Sequence, residues 1–179
     1  SIKPVHNKTG KGVINAIKSG VNAASGDYVL VMAADDIGPV LIIEQMLSLM
    51  GKGYDFVGAT RYAYGGKNIG GVFASRLLSK IANNLFHMLT SSQFTDSTLG
   101  VKMFRRSIFN KLNLEAKPIG WAVAFEMSIK AQLLGLRMKE VPVISINRFY
   151  GGKSSFRLNW VFEYLKWFFW GMKKLKKWN

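Results

Sequence analysis

Residues 28–36 read YVLVMAADD, a short run of apolar side chains that ends in two adjacent aspartates. A continuous apolar run of this length is typical of a strand that is buried on both faces of a sheet. Asp35 and Asp36 follow its carboxyl end, where the side chains of an α/β sheet line a cleft. We therefore expect the two carboxylates to lie at a ligand-binding edge of the sheet.

The segments on either side of this stretch predict an alternation of helices and strands. Before it, apolar side chains at helical spacing predict a helix over residues 13–24. After it, Pro39 can begin a second helix, and residues 56–60 (FVGAT) predict a second buried strand. Strand, helix and strand in this order indicate a parallel crossover unit, so Arg61 should lie at the same edge as the two aspartates.

The rest of the chain continues the alternation. Further helices are predicted over residues 72–89 and 121–134, and further strands over residues 101–104 and 139–146. Pro142 lies within the last of these segments and predicts an edge strand or a bulged strand. The sequence therefore predicts an α/β fold, with a mixed but mainly parallel sheet flanked by helices.

The composition narrows the class of function. The 179 residues include no cysteine, which excludes a disulfide framework and a thiolate metal site. The 25 lysines and arginines against 10 carboxylates give a net charge of +15, which favours binding to phosphates in nucleotides, nucleic acids or lipid headgroups. No apolar run reaches the length of about 18 residues that a membrane-spanning helix needs.

The last segment differs in composition from the rest. Residues 159–179 read NWVFEYLKWFFWGMKKLKKWN, which combines aromatic and basic side chains. Such a mixture is typical of a helix that lies in the plane of a membrane interface. We therefore predict an amphipathic interfacial helix over residues 158–179, on the cytoplasmic face of a membrane, after a domain of residues 1–157. A helix packed in the core or in an oligomer, and a short spanning segment, are the alternatives.

Acidic residues are scarce, so their positions carry information. Asp35 and Asp36 are adjacent, and neighbouring carboxylates repel each other unless a cation compensates. Mg²⁺ or Mn²⁺ is the natural compensator, because hard divalent cations take oxygen ligands and bridge diphosphates. The alternative use of these aspartates is to cap the helix that begins near Pro39.

Two basic clusters are candidates for binding phosphate. They are Arg105 with Arg106, and residues 148–153 (RFYGGK), to which Ser154 could add a hydroxyl donor. Solvated surface charge is the alternative for either cluster. The sequence contains neither a nucleophilic serine elbow nor a Walker-type phosphate loop, so hydrolase and P-loop functions are disfavoured.

Seven motifs occur in an order that resembles the polyprenyl-phosphate branch of glycosyltransferase family 2, the dolichol-phosphate mannose synthase type. They are NKTGKG to ASGDY (residues 7–28), VMAADDIGP (31–39), VGATRY (57–62), DSTLGVK (96–102), FE (125–126), EVPV (140–143) and RFYGGKS (148–154). Two features depart from the family pattern. Ala33 stands where the first aspartate of an Asp-X-Asp motif would fall, and the family's opening nucleotide-binding strand has no counterpart. We therefore expect the N-terminal part of the catalytic domain to be missing from this sequence.

The resemblance implies a GT-A-like, Rossmann-related domain. Such an enzyme would transfer a sugar from a nucleotide-sugar to a polyprenyl phosphate, dolichyl or undecaprenyl, at a membrane surface, with inversion at the anomeric carbon. Asp35 and Asp36 would hold a Mg²⁺ or Mn²⁺ ion on the donor diphosphate. A lipid phosphate has a second pKa of about 6 and is already anionic near neutral pH, so the acceptor needs no general base.

The resemblance also assigns roles to further residues. Arg61, Arg148 and Lys153, with Ser154, would bind phosphates, and Arg105 or Arg106 would guide the acceptor phosphate. Asp96 and Glu126 would orient those arginines or bind sugar hydroxyls. Nucleic acid is not an expected partner of such an enzyme.

Two other functions remain open from the sequence. One is a family 2 transferase that acts on a saccharide or protein hydroxyl, which would require a carboxylate base such as Asp96. The other is an inactive module that binds phosphate groups, a membrane surface or nucleic acid through its positive charge.

Overall fold

The computed structural model describes residues 3–7, 10–36, 38–146 and 160–175. The helices are α1 (Val13–Ala23), α2 (Ile43–Gly51), α3 (Phe73–Thr90), α4 (Ala122–Leu133) and α5 (Trp160–Leu175). The strands are β1 (Tyr28–Val31), β2 (Phe56–Thr60), β3 (Lys67–Ile69), β4 (Lys102–Arg105), β5 (Met138–Pro142) and β6 (Ile144–Ile146). Two short 3₁₀ helices, Gly38–Ile42 and Arg106–Leu112, follow β1 and β4.

The main sheet has four strands in the order β1-β4-β2-β5. β4 lies antiparallel to both β1 and β2, and only β2 and β5 are parallel. The expectation of a mainly parallel sheet is therefore wrong for the described residues, because β4 is inserted between the two strands of the predicted crossover unit. β1 and β2 still run in the same direction, so their carboxyl ends share one edge and the carboxyl end of β4 lies at the other.

The positions of the strands agree with the sequence-based predictions more closely than the burial of the strands does. All five residues of β2 are buried, as their apolar run predicts. The four residues of β1 are instead half-buried, because β1 is the outermost strand on its side of the sheet. Pro142 ends the other edge strand, β5, after which the chain passes through Val143 into β6. β6 pairs with the short strand β3, which the sequence did not predict.

Apolar side chains pack on both faces of the main sheet. Successive strand residues point to opposite faces, so Phe56 and Phe104 lie on one side, and Val57 and Met103 lie on the other. The first side packs against α1, α4 and α5, and the second packs against α2. The loop between α3 and β4 lies on the first side, with Phe94 6.0 Å from Phe56 between ring centroids.

Helix α5 packs against the domain. Trp167 is buried and its indole nitrogen donates to Glu163, while Phe168 contacts Phe86 of α3 at 5.4 Å between centroids. Glu163 also accepts the backbone N–H of Lys117. The inner face of α5 therefore belongs to the core of the domain. No helix in the described parts of the chain is both long enough and apolar enough to cross a membrane.

The close approach of α5 to its neighbours depends on Gly171. A Cβ atom at this position would lie 2.7 Å from the ring of Phe86 and 2.9 Å from Ile129. We expect Gly171→Ala to destabilise the fold by about 1–3 kcal/mol in urea unfolding, because the core around it would be overpacked.

Gly20→Ala in α1 is the matched control, since a Cβ atom there would meet nothing within 4 Å. It should stabilise the fold by about 0.5–1 kcal/mol through helix propensity alone. Equal effects of the two substitutions would contradict the described packing of α5.

Candidate active site

Arg61 and Asp96 form a bidentate ion pair at the carboxyl end of β2. Arg61 Nε donates to Asp96 Oδ2 at 2.7 Å, and Arg61 Nη2 donates to Asp96 Oδ1 at 3.0 Å. The Asp96 side chain is completely buried and that of Arg61 is 13% exposed. The two parallel hydrogen bonds fix the plane of the guanidinium group. Asp96 therefore orients Arg61, which is one of the three roles that the sequence suggests for it, besides binding sugar hydroxyls and acting as a base.

The carboxylate of Asp96 is fully occupied. It also accepts hydrogen bonds from the hydroxyl of Thr98, at 3.2 Å, and from the backbone N–H groups of Leu99 and Arg61, both at 3.2 Å. Burial works to lower the pKa of Arg61, but the charge and hydrogen bonds of Asp96 raise this pKa above its ordinary value. Arg61 is therefore a fixed cation, and its Nη1 group makes no hydrogen bond within the described residues.

The inner face of α3 holds the backbone around this pair. Tyr62 donates its hydroxyl to Ser79 at 2.9 Å, and the amide of Asn83 bonds to both Thr98 and Ser97 at 2.9 Å. These contacts connect the segment after β2 and the loop before β4 to one helix.

Arg76 lies one helical turn before Ser79, and sequence reasoning left it out of the site. Its Nη1 donates to the carbonyl of Asn68 at 2.9 Å, and its Nε is buried without a hydrogen-bond partner in the described structure. Buried donors are usually satisfied, so this guanidinium nitrogen is a candidate donor to a ligand. The sequence showed only an isolated basic residue in a helical pattern, which carries no such signal.

Lys102 is a second cation that sequence reasoning did not place in the site. It lies on β4, is fully buried, and has its Nζ 5.2 Å from the centroid of the Phe94 ring. Burial lowers its pKa to about 8, although the nearby carboxylates of Asp96 and Glu140 oppose this shift. Its presence in the motif DSTLGVK was the available signal.

The two aspartates after β1 have different environments. Asp35 is exposed, whereas Asp36 is 8% exposed. Asp36 accepts hydrogen bonds from the backbone N–H groups of Gly38 and Ile146, both at 3.1 Å, and from the hydroxyl of Ser145. Gly38 begins the 3₁₀ helix, so Asp36 serves the capping function considered as the alternative and also fastens this turn to β6.

The metal-ligating potential of these residues is correspondingly limited. The described residues contain no group of three histidine, aspartate or glutamate side chains that could hold a metal ion. Mg²⁺ in nucleotide sites often uses only one or two carboxylates, with phosphate oxygens and water as the remaining ligands. Asp35 fits such a sparse site. Asp36 fits it poorly, because three protein donors already use its oxygen atoms.

The prediction that Arg105 and Arg106 guide the acceptor phosphate is contradicted by the direction of β4. Arg105 pairs in register with Tyr28, the first residue of β1, and therefore lies at the edge opposite to Arg61. Its Nε donates to Asp55 at 3.0 Å, and Arg106 donates to the carbonyl of Gly26 at 2.8 Å. Both arginines fasten the amino-terminal ends of β1 and β2.

Glu126 also differs from its predicted role in substrate binding. It is completely buried in α4 and accepts the backbone N–H groups of Glu115, at 2.6 Å, and Ala116, at 2.8 Å. Lys130 forms an ion pair with it at 2.8 Å. These contacts fix the chain before α4, and they leave the carboxylate no free face for a sugar or an arginine of the site.

Arg148, Lys153 and Ser154 lie outside the described residues. Their roles in phosphate binding remain predictions from the sequence.

Replacing Asp96 tests how tightly the ion pair is built into the fold. We expect Asp96→Asn to lower the free energy of unfolding by about 3–5 kcal/mol, because it leaves the charge of Arg61 buried without a counter-ion. Glu115→Gln is the control: it also removes one carboxylate from an ion pair, with Lys130, but Glu115 is 62% exposed. The midpoint of urea unfolding of Glu115→Gln should stay close to that of the wild type. A small effect of Asp96→Asn would contradict the buried pair.

Comparisons with known proteins agree with this architecture. A model of the family described as glycosyl transferase family 2 matches residues 1–112. A dolichol-phosphate mannosyltransferase of Pyrococcus furiosus is 28% identical over 180 residues, which cover 99% of this chain and 49% of that protein. The chain thus spans about half the length of this curated relative.

Solved structures show a similar fold. The glucosyl-3-phosphoglycerate synthase of Mycobacterium tuberculosis, crystallised with phosphoglyceric acid, matches with a TM-score of 0.62 and 18% identity over 99% of this chain and 58% of that one. A complex of the same synthase with Mn²⁺, UDP-glucose and phosphoglyceric acid also matches with a TM-score of 0.62. Its sequence is 19% identical, and the match covers 98% of this chain and 58% of that one. This similarity of fold confirms the expected GT-A-like α/β fold. Because the family model covers more than half of the sequence, the chain belongs to glycosyltransferase family 2.

Proposed function

We propose that this protein transfers a sugar from a nucleotide-sugar to a polyprenyl phosphate at the surface of a membrane, with inversion at the anomeric carbon. Family membership and the dolichol-phosphate mannosyltransferase relative support sugar transfer. The observation that carries the choice of acceptor is the position of Arg61 beside α3. The arginine is held as a fixed cation, and its neighbour Tyr62 contacts the inner side of a helix whose outer side is apolar.

Helix α3 is amphipathic in the reverse sense to an ordinary surface helix. Its inner face meets the domain with Arg76, Ser79, Asn83, Phe86 and Thr90. At helical spacing, the opposite face carries seven large apolar side chains that are 42–78% exposed. They are Phe73, Leu77, Leu78, Ile81, Leu85, Met88 and Leu89. A contiguous apolar face of this kind marks an interaction surface, and a bilayer is an occupant of matching chemistry.

The charge around α3 favours an anionic bilayer as the occupant. Lys80 is exposed on α3, Lys67 is exposed on β3, and the whole chain carries a net charge of +15. Helix α5, which packs against α3, adds exposed Phe162 and Phe169 together with Lys166. Aromatic and basic residues on neighbouring helices are the combination that binds anionic headgroups and the acyl boundary beneath them.

The geometry relates the membrane to the chemistry. A helix with its side chains is about 10 Å across, so the apolar face of α3 and the inner face that contacts the Arg61 segment are separated by one helix width. A polyprenyl phosphate in the bilayer would therefore need to extend past the width of α3 alone to place its phosphate near Arg61. We place the protein on the cytoplasmic face of a membrane as part of this proposal.

The contacts of Asp96 bear on the type of acceptor. A saccharide hydroxyl would need a general base, and both oxygens of Asp96 are held by Arg61, Thr98 and Leu99. A lipid phosphate needs no such base, because it is anionic near neutral pH. In the proposed reaction, an oxygen of this phosphate forms a bond with the anomeric carbon while the bond from that carbon to the nucleotide diphosphate breaks, and the electron pair leaves with the diphosphate.

The residues of this chain would bind and orient the reactants. Arg61, through Nη1, which makes no hydrogen bond within the described residues, and Arg76 would donate to the acceptor phosphate, with Arg148, Lys153 and Ser154 completing its site. Asp35 would hold a divalent cation, Mg²⁺ or Mn²⁺, which supplies charge neutralisation for the departing diphosphate. The contacts of Asp36 would keep the turn that carries Asp35 in place.

A second candidate is transfer to the hydroxyl of a small phosphorylated acceptor. The structural neighbours named as glucosyl-3-phosphoglycerate synthases were crystallised with phosphoglyceric acid, which also carries a phosphate. This candidate gives no reason for the exposed apolar face of α3.

Parallel transfer assays on the full-length protein test the acceptor. We expect transfer to a polyprenyl phosphate, and none to the corresponding alcohol or to phosphoglycerate. Asp35→Ala should reduce transfer at least about a hundredfold, because the diphosphate loses its charge compensation. Glu44→Ala, which removes another exposed carboxylate, should leave transfer unchanged. Preferred transfer to phosphoglycerate would favour the second candidate, and an active Asp35→Ala variant would exclude the metal role.

Vesicle binding tests the membrane surface. The protein should co-sediment with phosphatidylserine-containing vesicles. The double substitution Leu78→Glu with Ile81→Glu should weaken this binding by about tenfold or more, because it places charges on apolar surface that the bilayer would bury. The control replaces Leu133 and Leu134 at the end of α4, which are exposed to a similar degree, with glutamate. Equal binding by both variants would contradict the assignment of α3. A change in oligomeric state without a change in vesicle binding would identify the apolar face as a subunit interface.

A further inference from the structure

Three residues of neighbouring strands form a row beneath the loop that carries Asp96. Gly58 on β2 pairs with Lys102 on β4 and with Glu140 on β5. Residues directly opposite one another on adjacent strands point to the same face of a sheet. Lys102 and Glu140 therefore lie on the same face, with the bare backbone of Gly58 between them.

The loop between α3 and β4 rests on this row. The ring of Phe94 covers Gly58, where a Cβ atom would come within 2.9 Å of the ring. Thr95 is held by Glu140, which accepts its backbone N–H at 2.8 Å and its hydroxyl at 2.7 Å. Asp96 follows directly. One side of the loop is thus fastened to Glu140, and the other side lies against Lys102.

Within the described residues, the ammonium group of Lys102 forms no ion pair that would explain its burial. Its ammonium group is inaccessible and has no hydrogen-bond acceptor in the described parts of the chain. The ammonium group lies over the face of the Phe94 ring. A buried charge without a partner is costly, and a hydrophobic residue of similar volume usually serves stability as well or better. The charge itself therefore requires a reason.

The electrostatic surroundings supply that reason. The groups that act on Lys102 are the carboxylates of Asp96, in the loop, and Glu140, on β5, and the guanidinium of Arg61, after β2. Together with Lys102 these groups form two cations and two anions. Without Lys102, the remaining groups of this cluster, Arg61, Asp96 and Glu140, would have a net negative charge, which opposes the binding of an anionic phosphate at Arg61.

We propose that Lys102 is a positioning residue, whose ammonium group keeps the cluster neutral, so that Arg61 remains available to an anionic phosphate. This inference rests on the proposed function, in which Arg61 binds the acceptor phosphate. Lys102 does not itself touch the substrate.

The titration of Lys102 gives the proposal a signature. Burial lowers the pKa of Lys102 to about 8, against the opposing effect of Asp96 and Glu140. As the pH rises through this value, the cluster loses one positive charge and phosphate binding at Arg61 should weaken. Fold stability should respond in the opposite direction. Between this pKa and the higher ordinary value of a lysine, the unfolded chain binds more protons, so stability gains with rising pH.

The test measures the affinity of the full-length protein for farnesyl phosphate by calorimetry at about pH 7 and about pH 9. The wild type should bind more weakly at the higher pH. Lys102→Arg should keep the affinity of the wild type near neutral pH and lose this pH dependence, because arginine stays charged. Lys102→Met should bind about tenfold more weakly at both pH values, which corresponds to the loss of one favourable charge interaction.

A purely structural role for Lys102 predicts that Lys102→Met lowers the melting temperature together with the affinity. We instead expect the melting temperature of Lys102→Met to equal or exceed that of the wild type, so that its weaker binding does not reflect a weaker fold. Lys52→Met, at an exposed lysine after α2, is the control and should behave as the wild type. If Lys102→Met does not fold, the pH profile of Lys102→Arg decides.

Three outcomes would overturn the inference. The first is affinity of the wild-type level in Lys102→Met at about pH 7. The second is an unchanged alkaline loss of binding in Lys102→Arg. The third is the absence of farnesyl phosphate binding by the wild type, which would contradict the proposed function as well, whereas the first two leave that function intact.

Discussion

The ion pair between Arg61 and Asp96 is the interaction on which the site depends. Removing two charges from water is costly, and the cost is offset here by a forked geometry and by further donors from Thr98, Leu99 and the backbone of Arg61. The pair turns a long flexible side chain into a fixed cation at the carboxyl end of β2. It also removes Asp96 from use as a base. An acceptor that is already anionic suits such a site better than a neutral hydroxyl does.

Helix α3 relates this pair to the outside of the molecule. Its inner face is hydrogen-bonded to the segments that carry Arg61 and Asp96, through Ser79 and Asn83. Its outer face leaves apolar side chains exposed, and a contiguous apolar patch on a protein surface commonly marks an interaction site. A membrane-bound acceptor accounts for both faces, because its hydrocarbon chain would lie in the bilayer that meets the apolar outer face, and its phosphate would bind to Arg61 on the inner side.

Much of the fold could be predicted from the sequence, because it is encoded locally. The apolar run of β2, the helical spacing of α1, α3 and α4, and the order of the family's motifs all indicated elements that the structure contains. The direction of β4 is not encoded in that way, since an apolar run reads alike in parallel and antiparallel strands. For this reason Arg105 and Arg106 were expected at the wrong edge. The inward orientation of Asp36 depends on Ser145, which lies far away in sequence, and the burial of Lys102 depends on a loop that covers it. Periodicity likewise identified α3 as a helix but could not say which face meets the domain.

A crystal structure of the full-length protein with a short prenyl phosphate would test the central claim most directly. The account predicts phosphate oxygens within hydrogen-bond distance of Arg61 Nη1, with both hydrogen bonds between Arg61 and Asp96 intact. A phosphate bound at Arg105 and Arg106, or an Asp96 that has released Arg61 to contact an acceptor hydroxyl, would contradict it.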